Sequence, residues 1–248
     1  MPLVTVAGLT RHYVGPAEVI RAVDTIDLSI EAGELLLLRG PSGAGKSTLL
    51  RLLAGLEPAD SGTVLAGGRD VTAMSSDEAA SLRAHDIGVV FQDNNLVPEF
   101  SAIENVMLPL ELRGDRGAQV RDEAAAWLHR VGLAGLEDRA PDQLSGGQQQ
   151  RVGIARALIG GRSILLADEP TGSLDSTNAT AIFSTLRELA DQGVLVVIST
   201  HDPLAVGFAD RVISIDRDHH IGEFRPHGLG ERVHRLRTVE GDDGDTIF

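Results

Sequence analysis

The 248-residue chain carries 42% hydrophobic and 23% charged residues, an ordinary balance with length for one well-packed domain or two small ones. Its formal net charge of −14 argues against nucleic acid as a main partner, although a local nest of backbone N–H groups can still hold a nucleotide phosphate. No apolar run approaches the ~20 residues of a membrane helix, no basic-then-apolar leader opens the sequence, and cysteine is absent, so disulfides are excluded and a cytosolic location is permitted.

Short apolar stretches alternate with longer helical patterns, which reads as an α/β domain with a largely parallel sheet. Strands are expected over 3–6, 25–30 and 35–39, followed by a helix over 46–54 and a strand over 63–65. Three more strands, rich in β-branched or apolar residues, are expected over 87–91, 164–167 and 194–199. Between them, from 93 to 160, the pattern turns helical, with apolar residues at helical spacing in 104–112, 120–131 and 146–159. This region reads as a helical insertion in the α/β core. From Arg225 onward the alternation fades into an acidic, glycine-containing end. Residues 1–225 are therefore read as one domain and 226–248 as a tail, mobile at its last residues.

Gly40, Pro41, Ser42, Gly43, Ala44, Gly45, Lys46, Ser47 and Thr48 match the phosphate-loop pattern at every fixed position. The motif falls between an expected strand and an expected helix, the place its chemistry requires. Glycines let the backbone wrap phosphates, and the helix N-terminus then faces the anion. Lys46 is expected to reach the β- and γ-phosphates, and the Ser47 hydroxyl to ligate magnesium. Lys46 is the single lysine among 22 Lys and Arg residues, which marks a position that needs a compact ammonium. Further along, the buried strand at 164–167 runs into Asp168 and Glu169. A carboxylate at such a strand end can hold Mg²⁺, assigned here to Asp168, while Glu169 would polarise the attacking water.

Leu144, Ser145, Gly146, Gly147 and Gln148 then precede a helix, with Ser145 at its N-cap. Here the sequence resembles the ATP-binding-cassette superfamily, whose signature reads Leu-Ser-Gly-Gly-Gln. The resemblance covers about residues 3–224. It implies a P-loop NTPase core with a mostly parallel sheet, an N-terminal antiparallel β subdomain and an inserted α-helical subdomain. It also implies roles for residues that are unremarkable alone. Gln92 would contact magnesium and water, His201 would hold the γ-phosphate, and Tyr13 would stack on adenine. Ser173, Leu174 and Asp175 would cross a dimer interface. Two chains would face head to tail, each ATP lying between one chain's phosphate loop and the other's Ser145 signature.

Within the superfamily, residues 104–110 and 166–175 are similar to the branch of lipoprotein-release, macrolide-export and cell-division ATPases; amino-acid importers share much of this pattern. The resemblance then implies an ATPase peripheral on the inner face of the membrane, coupled to a permease of the export or mechanotransmission type. Rivals fit less well. Chromosome and repair ATPases carry long coiled coils or zinc-bearing insertions, translation factors need two cassettes, and a kinase needs no Ser145 signature. Asn94 and Asn95 depart from the branch, which often has an aromatic residue there, and Gly160-Gly161-Arg162 replaces a segment that usually has a proline. The adjacent His219 and His220 lack a third ligand and read as a solvated turn. The Asn178-Ala179-Thr180 glycosylation pattern is one by letter alone. Residues 94–99 are the expected docking surface for the permease.

Overall fold

The computed structural model describes residues 2–15, 19–92, 95–172, 174–216, 221–226 and 234–235. Asn94, Ser173, His219, His220 and the acidic stretch 241–245 lie outside them.

The first sheet is antiparallel, in the order β2-β1-β4-β5. It comprises β1 (Val4–Val14), β2 (Val19–Ile30), β4 (Ser61–Ala66) and β5 (Arg69–Asp70). Strands β1 and β2 run well beyond the short segments expected from the sequence. Register shifts between Val6 and Leu9, Leu9 and Arg11, and Arg11 and His12 break the period-2 alternation that marks a strand. A longer strand therefore looks like a shorter one.

The second sheet has seven strands in the order β11-β10-β9-β3-β8-β7-β6. Strands β9 (Arg211–Ile215), β3 (Leu35–Arg39), β8 (Leu195–Ser199), β7 (Ile164–Asp168) and β6 (Ile87–Val90) are parallel. At one edge β10 (Ile221–Phe224) and β11 (His234–Arg235) pair antiparallel.

Parallel strands covered on both faces read as unbroken apolar runs, and β3 shows why. Leu35 and Leu37 join one core with Leu165, Val196, Ile198 and Phe183. Leu36 and Leu38 turn to the other, with Ile164, Leu166, Val197, Leu49 and Ile30. Each of these fully buried leucines contributes roughly 1.5–3 kcal/mol relative to an exposed one. The first core lies under α5 (Gly146–Leu158) and α6 (Ser176–Asp191) and continues into α3 (Ala102–Leu112) and α4 (Ala118–Arg130) through Val106, Leu110, Ala124 and Leu128. The second lies between the parallel sheet, α1 (Lys46–Leu53) and the antiparallel sheet.

Helices α2 (Ser76–His85) and α6 were not expected from the sequence. Helix α2 buries only Ala79 and Leu82, so its apolar face is too thin to read; a Ser75–Glu78 capping box starts it instead. Helix α6 did carry the signal, with Ile182, Phe183, Leu186 and Leu189 on one buried face. Among the described residues, no helix is long and apolar enough to cross a membrane.

Candidate functional site

Because β3, β8, β7 and β6 are parallel neighbours, their carboxyl ends share one edge. That edge is where ligands bind in open α/β sheets. The residues leaving it are, in sheet order, Gly40, His201, Glu169 and Gln92.

The loop from β3 to α1 is shaped by its glycines. Gly43 has φ 86° and faces open space; Gly45, the N-cap of α1, has φ 87°. A Cβ on Gly45 would lie 1.7 Å from the Ala22 carbonyl oxygen, so only glycine lets the antiparallel sheet approach the loop so closely. Lys46, 8% exposed, donates from Nζ to the carbonyls of Gly40 at 2.9 Å and Pro41 at 3.0 Å. A cavity of about 660 Å³ opens here. It is lined by Tyr13, Ile20, Ala22, Gly40 to Gly43, Gly45 to Thr48, Gln92, Glu169, Gly172 and His201. Ala44 is the loop residue that does not line it; its methyl is buried in the second core.

Glu169 follows β7 with its backbone in the left-handed region, φ 47°, an uncommon state for a residue with a side chain. Its N–H donates to the Ser199 carbonyl at 2.8 Å, and its carbonyl accepts from Gly172 N at 3.1 Å. This tight turn sends the carboxylate into the cavity. There Oε2 accepts from the Thr200 hydroxyl at 2.9 Å, and His201 Nδ1 lies 3.1 Å from both carboxylate oxygens. The Thr200 hydroxyl in turn accepts from Asp202 N at 3.1 Å, which leaves its hydrogen for Glu169. Asp168, the last residue of β7, accepts from the Ser199 hydroxyl and does not line the cavity. Tyr13 lines the cavity beside its cross-strand partner Ile20.

The signature residues form a second constellation. Ser145 caps α5, its hydroxyl accepting from Gln148 N at 3.3 Å while Gln148 Oε1 accepts from Ser145 N at 2.9 Å. Asp175 caps α6, accepting from Asn178 N and Asn178 Nδ2, each at 2.9 Å. The backbone N–H of Asn178, then its side chain, holds the Asp175 carboxyl below the usual range. The two caps touch: a Cβ on Gly147 would lie 2.9 Å from Asn178 Oδ1, and one on Gly146 3.3 Å from Leu174. None of Ser145, Gly146, Gly147, Gln148 or Asp175 lines the cavity. One chain thus carries two constellations that do not meet.

Of the expected docking segment 94–99, residues 95–99 are described. Leu96 packs on the first core, and buried Asn105 ties down Val97 by accepting from its N–H at 2.8 Å and donating to its carbonyl at 3.1 Å. A groove of about 450 Å³ lies alongside, lined by Leu56, Phe91, Leu108, Pro109, Leu112, Arg83, Arg113 and Arg162 among others. Asn95 to Glu99 are not among its walls. Sequence reasoning also missed Ser199 and Thr200, the two hydroxyl residues that close β8 just before His201.

A phosphate loop on the carboxyl edge of a parallel sheet, with an acidic strand end beside it, defines a P-loop nucleoside-triphosphate-binding domain. The signature at α5 narrows this further. The chain belongs to the ABC transporter family, whose model matches residues 23–172, and is an ATPase cassette of that family. It is 42% identical over 227 residues to the macrolide export ATP-binding/permease protein MacB of Burkholderia pseudomallei, covering 91% of this chain and 35% of that protein. It is 46% identical over 215 residues to the pyoverdine export ATP-binding/permease protein PvdT of Pseudomonas syringae, covering 86% and 33%. The chain thus spans about a third of the length of these curated relatives. Among solved structures it is similar to the ATP-binding cassette MJ0796 in a dimeric post-hydrolysis state bound to ADP and Pi, with 37% identity and a TM-score of 0.80 over 91% of this chain and all of that one.

Proposed function

We propose that this chain is the ATP-hydrolysing subunit of an export-type transporter, a cytoplasmic cassette seated on a membrane permease. The observation that carries this reading is the separation of the two constellations. Tyr13, the phosphate loop, Gln92, Glu169 and His201 line one cavity, whereas the Ser145 cap stands apart and outside it. A second copy facing head to tail would supply the missing helix N-terminus to the nucleotide. In this reading residues 1–225 work as one cassette, with 93–160 as its helical part.

The residues present suit a nucleoside triphosphate with Mg²⁺. Ser47 and Gln92, which line the cavity, and Asp168, at the β7 end next to Glu169, offer the oxygen donors that a hard cation prefers. No cluster of three or more His, Cys, Asp or Glu gathers among the described residues, which fits an ion whose other ligands are phosphate oxygens and water. When bound, Mg²⁺ neutralises charge on the β- and γ-phosphates. Lys46 binds the same phosphates, Glu169 takes the proton of the attacking water, and His201 steadies the γ-phosphate. Thr200 positions Glu169. Thr200→Val is therefore expected to slow turnover about tenfold with ATP affinity retained, and Thr200→Ser to restore it. Equal turnover in the valine variant would remove Thr200 from the mechanism.

The groove beside Gln92 is the proposed permease seat. Leu112 and Leu56 are 78% and 41% exposed there. Arg83 donates to the carbonyls of Ala54 and Gly55, and Arg162 to those of Arg83, Arg156, Ala157 and Ile159. Burial, then the neighbouring Arg113, pushes the Arg162 guanidinium down to about 10. An apolar wall with cationic corners suits an amphipathic permease segment bearing acidic residues. Leu56→Asp combined with Leu112→Asp is expected to cut copurification with the permease at least about tenfold and to leave ATP affinity within about twofold. Undiminished copurification would overturn the seat. If no membrane protein is recovered with the parent chain from detergent-solubilised native membranes, the transporter reading fails.

A further inference from the structure

Four consecutive residues of β1 are grasped by the short segment that follows α1. Helix α1 ends at Leu53 with Ala54 as its C-cap, and residues 57 and 60 of the segment that follows contact β1. Asp60 N donates to the Thr10 carbonyl at 2.9 Å. The Asp60 carboxylate accepts from Arg11 Nη1 at 2.8 Å and from the backbone N–H of His12 at 2.6 Å. Finally the Tyr13 hydroxyl donates to Glu57 Oε1 at 2.7 Å and lies 3.5 Å from Thr48 Oγ1 in the phosphate loop. The Arg11 guanidinium stands 5.0 Å from the centre of the Tyr13 ring.

These contacts fix the ring at both ends. Its Cβ is set by a strand clamped at three successive residues, and its hydroxyl is tied to a carboxylate by a charge-assisted hydrogen bond. Arg11 occupies the ring's surroundings without lining the cavity, whereas Tyr13 and Ile20 do line it. The second carboxylate oxygen, Glu57 Oε2, is buried with no hydrogen-bond partner, so the hydroxyl of Tyr13 is the bond that satisfies this side chain. Glu57 itself is not a wall of the cavity. Its reach to the ligand therefore runs through Tyr13.

We propose that Glu57 is a positioning residue for nucleotide binding, holding the Tyr13 ring at the orientation in which it stacks on the base and tying that platform to the end of the phosphate-loop helix. The inference rests on Tyr13 being the base platform. A ring held in place before the ligand arrives loses less freedom on binding. Glu57 then acts on ligands that have a base and is indifferent to those that have only phosphates.

The test uses the full chain and calorimetric dissociation constants for ATP and for inorganic tripolyphosphate, both with magnesium. Tyr13→Ala is expected to weaken ATP about tenfold or more by removing the stack. Glu57→Ala and Tyr13→Phe are each expected to weaken ATP about three- to tenfold, and together to do little more than either alone. Glu57→Gln, which still offers an acceptor oxygen, should recover much of the loss. Tripolyphosphate should change less than twofold throughout. An unchanged ATP constant in Glu57→Ala, beside a weakened Tyr13→Ala, would overturn the role of Glu57 and leave the platform standing. Equal losses for ATP and tripolyphosphate would also overturn it, since Glu57 would then act on the phosphate loop. If Tyr13→Ala binds ATP as the parent does, the platform reading fails and the inference falls with it.

Discussion

Glu169→Gln is expected to bind ATP within about threefold of the parent and to hydrolyse it roughly two to four orders of magnitude more slowly, the range of a general base. The amide keeps the length and shape of the side chain. Its oxygen can still accept from the Thr200 hydroxyl, and the backbone at φ 47° carries a side chain of the same size as before. What it cannot do is take a proton from water. Binding without turnover should then populate the ATP-bound pair, in which each Ser145 cap completes the other chain's cavity. Light scattering on the variant in Mg-ATP is expected to show twice the monomer mass, and in ADP the monomer. A variant that still turns over near the parental rate moves the base elsewhere. A variant that is slow but stays monomeric at saturating Mg-ATP argues instead that pairing needs the permease.

How much of this could be read from the sequence depended on distance along the chain. The phosphate loop and the Ser145 cap are local: their function lies in backbone shape set by adjacent glycines and caps, so nine and five consecutive residues display them. The parallel sheet was legible because strands buried on both faces, such as β3 and β8, become unbroken apolar runs. The meeting of Gln92, Glu169 and His201 was legible only through resemblance, since it depends on the β3-β8-β7-β6 order, and strand order leaves no local pattern. Thr200 and Glu57 were not legible at all. Each is one polar residue whose partner stands 31 or 44 positions away, and no spacing rule links them. The surroundings of residues 95–99 were hidden for a related reason. Leu96 and Val97 read as a surface for docking, but Leu96 packs on the first core and a buried asparagine, Asn105, holds the Val97 backbone. The exposed apolar residues of the neighbouring groove come from α3, as Leu112, from the turn after α1, as Leu56, and from just past the end of β6, as Phe91.

Lys46→Ala is expected to weaken ATP binding by roughly ten- to a hundredfold, the worth of a charged hydrogen bond to an anion, and to remove nearly all turnover. Two effects must be separated. In the free chain the ammonium binds the carbonyls of Gly40 and Pro41, so its loss also leaves two loop acceptors without their donor, costing about 1–3 kcal/mol for each that stays dry. Circular dichroism and thermal melting report that second effect, and a folded variant that still fails to bind isolates the first. Lys46→Arg gives a further separation. A planar guanidinium keeps the charge but not the compact head, so poor binding by this variant assigns the requirement to shape as well as charge. The sequence itself provides an independent check. Lys46 is the only lysine, so apart from the terminal amine it is the single site for amine-directed labelling. ATP should protect it from modification, with a midpoint matching the calorimetric affinity. Labelling that proceeds equally with and without saturating ATP, or a folded Lys46→Ala chain that hydrolyses ATP near the parental rate, would remove Lys46 from the phosphate site.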